Sequence, residues 1–103
     1  MPSSHAARHR AVHPGEILRQ EFLVPLGISM YRLAKDTGMP ADRVGRLVKG
    51  TRAFSADTAL RLAAYFQTSA EFWMNLQARY DLAVARDSKG TKAILRIRPY
   101  KGA

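Results

Sequence analysis

The sequence predicts an all-α fold of five short helices, the second and third forming a helix-turn-helix, followed by a short strand-like C-terminal tail. Three observations carry that expectation. Apolar residues recur at three- and four-residue steps through most of the chain, the period of an amphipathic helix. The breaks between these runs hold residues that stop and start helices, such as Gly27 before Ser29 and Gly38 before Pro40. The segment from Ser29 to Gly50 pairs two such runs across a tight turn, and the second carries Arg43, Arg46 and Lys49 on its outer side. That is the arrangement that lays a basic second helix in a DNA major groove.

Residues 1–12 lack a periodic apolar pattern and are expected to form a mobile N-terminal arm. Pro14 opens the first helix, in which Ile17, Leu18 and Phe22 make one apolar stripe, and the helix ends near Pro25. Ser29 is placed to cap the second helix, with Tyr31, Leu33 and Ala34 inside it. Gly38 suits a left-handed residue that reverses the chain. Pro40 then stands at the start of the third helix, where its missing N–H has no partner to lose, and Val44, Leu47 and Val48 set that helix's apolar face. Ser55 caps a fourth helix with Ala59, Leu60, Leu62, Ala63 and Phe66. Thr68 and Glu71 have capping-box spacing for a fifth helix running to about Arg86, with Phe72, Trp73, Leu76 and Tyr80 as its heavy stripe. Residues 13–87 thus form the helix-turn-helix domain and residues 88–103 a basic tail. From Leu95 to Arg98 that tail alternates as a strand would, and a lone strand needs an edge supplied by a second copy or another protein. An ordered coil packed on the bundle is the alternative.

At 103 residues the chain suits one domain. Its 17 Lys and Arg against 8 Asp and Glu give a net charge of +9, which points to a polyanionic partner, nucleic acid before a membrane surface. Arg86, Lys89, Lys92, Arg96, Arg98 and Lys101 are opposed only by Asp87. No apolar run is long enough to span a bilayer and no signal segment opens the chain, so a cytoplasmic location without a membrane partner is expected. The absence of cysteine excludes disulfides and thiolate metal sites. His5, His9 and His13 are spaced by four, but they fall in the expected arm beside Pro14, and uncomplexed histidines are the expectation. No Ser/His/Asp set, paired carboxylates or glycine-rich phosphate loop is present, so neither an enzyme nor a cofactor is expected.

His13-Pro14-Gly15-Glu16-Ile17-Leu18, the Ser29 to Gly50 motif, Thr58-Ala59-Leu60-Arg61-Leu62-Ala63 and Glu71-Phe72-Trp73-Met74-Asn75-Leu76-Gln77 together resemble the HigA family of bacterial antitoxins, within the Cro/repressor-like helix-turn-helix class. The resemblance runs from about His13 to Ile97. It implies a five-helix repressor-like domain, a homodimer, double-stranded operator DNA as one partner and a cognate HigB-like, mRNA-cleaving toxin as the other. It also implies repression of the protein's own operon. In repressor-like domains the first turn of the recognition helix, and one residue a turn later, read base edges; in this chain these are Ala41, Asp42, Arg43 and Arg46. Arg46 is the strongest base reader, because a guanidinium can bond guanine O6 and N7 together. Asp42 accepts from cytosine or complements the helix N-terminus. Ser29, Lys49 and Arg52 are candidate phosphate contacts, as Arg43 also is. Met30 stands where many repressors carry a bracing Gln. Gly45 stands inside the recognition helix, at a cost of about 1 kcal/mol in helix propensity relative to Ala. Trp73, Leu76, Gln77 and Tyr80, with Leu95 and Ile97, are the candidate dimer or partner interface, although an aromatic stripe such as the first four make is more often core. Two further readings stand beside the antitoxin: a solitary regulator of the same fold, and an RNA- or protein-binding module that works through its basic tail.

Overall fold

A computed structural model of the chain describes residues 11–102. The expectation of an arm over residues 1–10, with His5 and His9, lies outside the described residues. Helix α1 opens at Pro14–Ile17, continues as a π-helical segment Leu18–Leu23 and ends in the turn Val24–Leu26. Then come α2 (Met30–Thr37), α3 (Ala41–Lys49), α4 (Ala56–Phe66), α5 (Ala70–Arg86) and a short α6 (Thr91–Leu95). The all-α expectation holds, and α2 and α3 are the helix-turn-helix.

The core forms where the apolar stripes of α1 to α5 meet. Leu18, Leu33, Val44, Leu47, Leu62 and Trp73 are fully buried, with Leu23, Met39, Phe54 and Ala59 nearly so. Each buried leucine contributes about 1.5–3 kcal/mol relative to an exposed one. Trp73 lies at the centre, its ring 5.0 Å from Phe22 of α1 and 4.9 Å from Phe72, and stacked on Phe54 at 5.9 Å. Its indole N–H donates to Thr68 Oγ1 at 2.8 Å, so the one polar atom of this aromatic is satisfied.

Caps and turns follow the sequence with two corrections. Ser29 caps α2 by accepting from the Arg32 N–H at 3.0 Å, and Ser55 caps α4 by accepting from the Thr58 N–H at 3.2 Å. Gly38 closes α2 with φ of 74°, a conformation costly for any residue with a Cβ. Helix α1 runs to Leu26, one residue past Pro25, as an end near that proline requires. In a regular α-helix the proline ring would crowd the carbonyl four residues back. In α1 the turns before it are widened, the Val24 N–H bonding Arg19 five residues back. The first correction is at α5, whose cap is Ser69, which accepts from the Phe72 N–H at 3.0 Å, so Thr68 and Glu71 do not form the capping box. Gln67, left-handed at φ of 60°, closes α4 and moves the extended cap geometry one residue on, freeing Thr68 for the indole.

Second, the strand expected from Leu95 to Arg98 is absent, and among the described residues there is no strand at all. Residues Thr91–Leu95 are helical instead. The Thr91 hydroxyl shares its proton between the carbonyls of Ala85 and Arg86, at 2.7 and 2.8 Å, which folds the tail back onto the end of α5. The alternating pattern begins only at Leu95, and the described residues offer no sheet edge for it to join.

Candidate nucleic-acid interface

Helix α3 turns Val44 and Leu47 into the core, so its periodicity sends Ala41, Asp42, Gly45, Arg46 and Lys49 to the other side. Arg46, Lys49 and Arg52 are exposed and form a basic stripe from the middle of α3 into the following loop. Arg46 Nε lies 3.2 Å from Asp42 Oδ2 one turn earlier, an ion pair within α3 that leaves most of the Arg46 side chain exposed. Ser29 is exposed at the N-terminus of α2; its oxygen caps the helix while its O–H proton remains to be donated outward.

Arg43 is placed differently from its neighbours. Its Nη1 donates to Asp57 Oδ2 of α4 at 2.7 Å, and only 21% of its side chain is exposed, against 60% for Arg46. The same Asp57 oxygen accepts from Arg61 Nε at 2.9 Å, and Arg61 Nη1 reaches the Thr37 carbonyl at the end of α2 at 2.8 Å. The Arg43 guanidinium above all, and then that of Arg61, hold the Asp57 carboxyl below the usual carboxylate range. A second tie joins α2 to α4: Tyr65 Oη donates to Asp36 Oδ2 at 2.6 Å, and Arg32 Nε donates to the same oxygen at 2.8 Å. The Tyr65 bond is the main reason that the Asp36 carboxyl also sits low and the Tyr65 phenol high.

The far end of α3 is clamped by a part of the chain that the sequence marks without explaining. An ideal Cβ on Gly15 would lie 1.8 Å from the Leu47 carbonyl oxygen, so only glycine lets α1 approach the last turn of the recognition helix. His13 caps α1, its Nδ1 accepting from the Gly15 N–H at 2.9 Å. Its ring packs edge-on against Tyr80 of α5 at 4.9 Å and near Phe54 at 6.0 Å. Burial lowers the His13 pKa, opposed by a bond to the Arg52 backbone and by the charge of Asp81. Gln77 continues the support: its Oε1 accepts from the Phe54 N–H at 2.7 Å and its Nε2 donates to Asp81 at 2.8 Å. The sequence alone does not disclose these bracing roles of His13, Gly15 and Gln77. The close spacing of His, Pro and Gly before a helix is the one local signal that points to them.

Two of the expected interface residues are core. Trp73 is fully buried and Gln77 is 5% exposed, so neither offers a surface to a partner. They lie four apart on the face of α5 that meets the bundle, and the aromatic bulk draws that face inward. Leu76 is partly buried against the core, and Tyr80 is half-buried beside His13. Leu95 and Ile97 are well exposed, and they are joined by Leu82, Val84 and Ile94 at the junction of α5 and α6. No described helix is long and apolar enough to cross a membrane.

A helix-turn-helix with its second helix braced from behind and basic on its open side defines a repressor-like DNA-binding protein. Residues 18–73 match the helix-turn-helix family model. The chain is 47% identical over 79 residues to virulence-associated protein I of Dichelobacter nodosus, covering 77% of this chain and 73% of the relative. It is 39% identical over 75 residues to antitoxin HigA-1 of Vibrio cholerae, covering 73% and 70%. The structure of Pseudomonas aeruginosa antitoxin HigA with the higBA promoter is similar at a TM-score of 0.83 and 47% identity, covering 89% of this chain and 100% of that one. The chain belongs to the HigA family of antitoxins.

Proposed function

We propose that this protein is a homodimeric antitoxin that binds the operator of its own operon and neutralises a cognate mRNA-cleaving, HigB-like toxin. In this reading α3 enters the major groove. Arg46 reads a base, held in place by Asp42, with Ala41 beside them at the helix start. Ser29, Lys49 and Arg52 contact phosphates and set the register. A two-fold operator needs a self-complementary protein surface, and Leu82, Ile94, Leu95 and Ile97 at the α5–α6 junction are offered to a second copy.

The observation that carries the reading is the exposed stripe of Arg46, Lys49 and Arg52 on the open side of α3. It stands on a fold shared, at a TM-score of 0.83, with an antitoxin whose structure includes promoter DNA. The test has two parts. A duplex carrying the sequence upstream of this protein's gene should bind more tightly than a scrambled duplex, and Arg46→Ala should remove about 1–3 kcal/mol of that preference. Co-expression with the adjacent reading frame should yield a complex that purifies as one species. Operator binding without any such complex overturns the toxin half and leaves a solitary regulator. Equal binding to both duplexes overturns the DNA-reading half.

A further inference from the structure

We propose that Arg43, Asp57 and Arg61 form a bridge that fixes α3 at its reading angle, with Asp57 the positioning residue and Arg43 a brace, not a reader of bases. The inference rests on the DNA-reading role proposed for α3. A single oxygen, Asp57 Oδ2, accepts from Arg43 Nη1 of α3 at 2.7 Å and from Arg61 Nε of α4 at 2.9 Å. Arg61 then donates through Nη1 to the Thr37 carbonyl at 2.8 Å, on the last residue of α2. Three side chains therefore join α3 to α4 and α4 to α2, and the mutual angle of α2 and α3 defines the motif. The packing of Leu33, Val44 and Leu47 between these helices is apolar and non-directional. The bridge adds direction, because charge-assisted bonds from a planar guanidinium fix orientation as well as distance.

Arg43 lies at a position where the first turn of a recognition helix reads bases, yet four-fifths of its side chain is covered. To reach a base it would have to leave Asp57 and break the bridge that aims its own helix. Arg46, paired only within α3 and largely exposed, is under no such constraint. Base recognition needs its side chains held within about half an ångström and 10–20° of the productive pose. A bridge worth little to overall stability, as exposed ion pairs usually are, still governs specificity if it sets that angle.

The experiment is a double-mutant cycle on DNA binding by the full-length protein, with Arg43→Ala, Asp57→Asn and the pair combined. Each is titrated with the upstream duplex and with a scrambled duplex of equal length. Each single change is expected to weaken binding to the upstream duplex about fivefold, and the double change no more than either single, because both remove the same coupling. The dependence of log Kd on log salt should keep its slope in Arg43→Ala, since no phosphate contact is lost. Additive losses overturn the proposal, as does a slope reduced by about one unit, the mark of a direct phosphate contact. Tighter operator binding by Asp57→Asn overturns it too, since a freed Arg43 would then be touching DNA. Thermal unfolding shows that each variant is folded, and Asp57→Ala repeats the cycle should the amide retain part of the bond. If the wild-type protein does not distinguish the two duplexes, the DNA-reading role fails, and that failure is visible before any variant is made.

Discussion

The two ends of the described chain are held in opposite ways. At the N-terminal end, the Gly15 backbone presses on the Leu47 carbonyl of α3, and the His13 ring packs on Tyr80 of α5 and bonds the Arg52 backbone. At the C-terminal end, Ile94, Leu95, Ile97 and Tyr100 are all more than half exposed, and α6 is fastened to α5 mainly by the hydroxyl of Thr91. The first end presses on the last turn of α3. The second leaves its apolar residues largely uncovered by the rest of the chain, a pattern suited to a surface completed by another molecule. Under the proposed function, a braced helix for DNA and an open apolar area for a second copy fall at separate ends of the fold.

The largest expected effect breaks the first end. Gly15→Ala places a methyl group against the Leu47 carbonyl, and neither backbone can yield without moving α1 off α3. Overpacking of this kind costs about 3 kcal/mol, which lowers the thermal midpoint by roughly 12 °C or more in a domain of this size. Circular dichroism melts measure it. An unchanged midpoint would mean that α1 does not press on the recognition helix.

The next effect tests the second end. Leu95→Ser combined with Ile97→Ser should leave the helical fold intact and weaken self-association roughly hundredfold. The two substitutions occur in both copies, so four apolar burials are at stake; losing about 0.75 kcal/mol from each, half of a full burial, already gives that figure. Analytical ultracentrifugation reads it directly. A dimer as tight as the wild type would move the interface elsewhere and leave the exposed tail unexplained.

A smaller effect sharpens the first end through pH. Burial lowers the His13 pKa in the folded chain, so below about 6.5 the unfolded chain binds more protons than the folded one. His13 therefore adds a stability that is constant above about pH 6.5 and shrinks as the pH falls through the unfolded value toward the lower, folded one. Protonating Nδ1 would also remove the acceptor that caps α1. Thermal midpoints at about pH 7.5 and about pH 5.5, either side of the ordinary histidine value, should differ more for the wild type than for His13→Asn, which keeps a capping oxygen but does not titrate. Equal differences would show that the ring is not held in the clamp.

The contrast between the ends also explains what the sequence disclosed. Helices α1 to α5 were legible because their apolar spacing and their Ser and Gly boundaries are local signals, as at Ser29, Gly38 and Ser55. The basic stripe was legible for the same reason: Arg46 and Lys49 lie on the face that Val44 and Leu47 leave outside. The bridge through Asp57 was not, since Arg43 and Asp57 are 14 residues apart in sequence and only the α3–α4 packing brings them together. The inward turn of Trp73 and Gln77 was equally hidden, because a helical stripe does not announce whether a core or a partner covers it. The tail misled most, since alternation reads as a strand only if an edge exists to pair with it.

The smallest expected effect turns on the second glycine that bears on the recognition helix. Gly45 lies in the middle of α3, and an ideal Cβ there meets nothing within 4 Å, the reverse of Gly15. Gly45→Ala should therefore stabilise the free protein by up to about 1 kcal/mol through helix propensity alone, raising the thermal midpoint by roughly 4–8 °C. Stability and DNA affinity then become independent readings of one methyl group. If α3 seats deeply in the groove, the space that is open in the free chain is filled by DNA, and the stabilised variant should bind the upstream duplex less tightly. A variant that is both more stable and undiminished on DNA would put Gly45 off the contact and leave Arg46 reading from a helix held further out. A variant that is less stable would contradict the open surface itself.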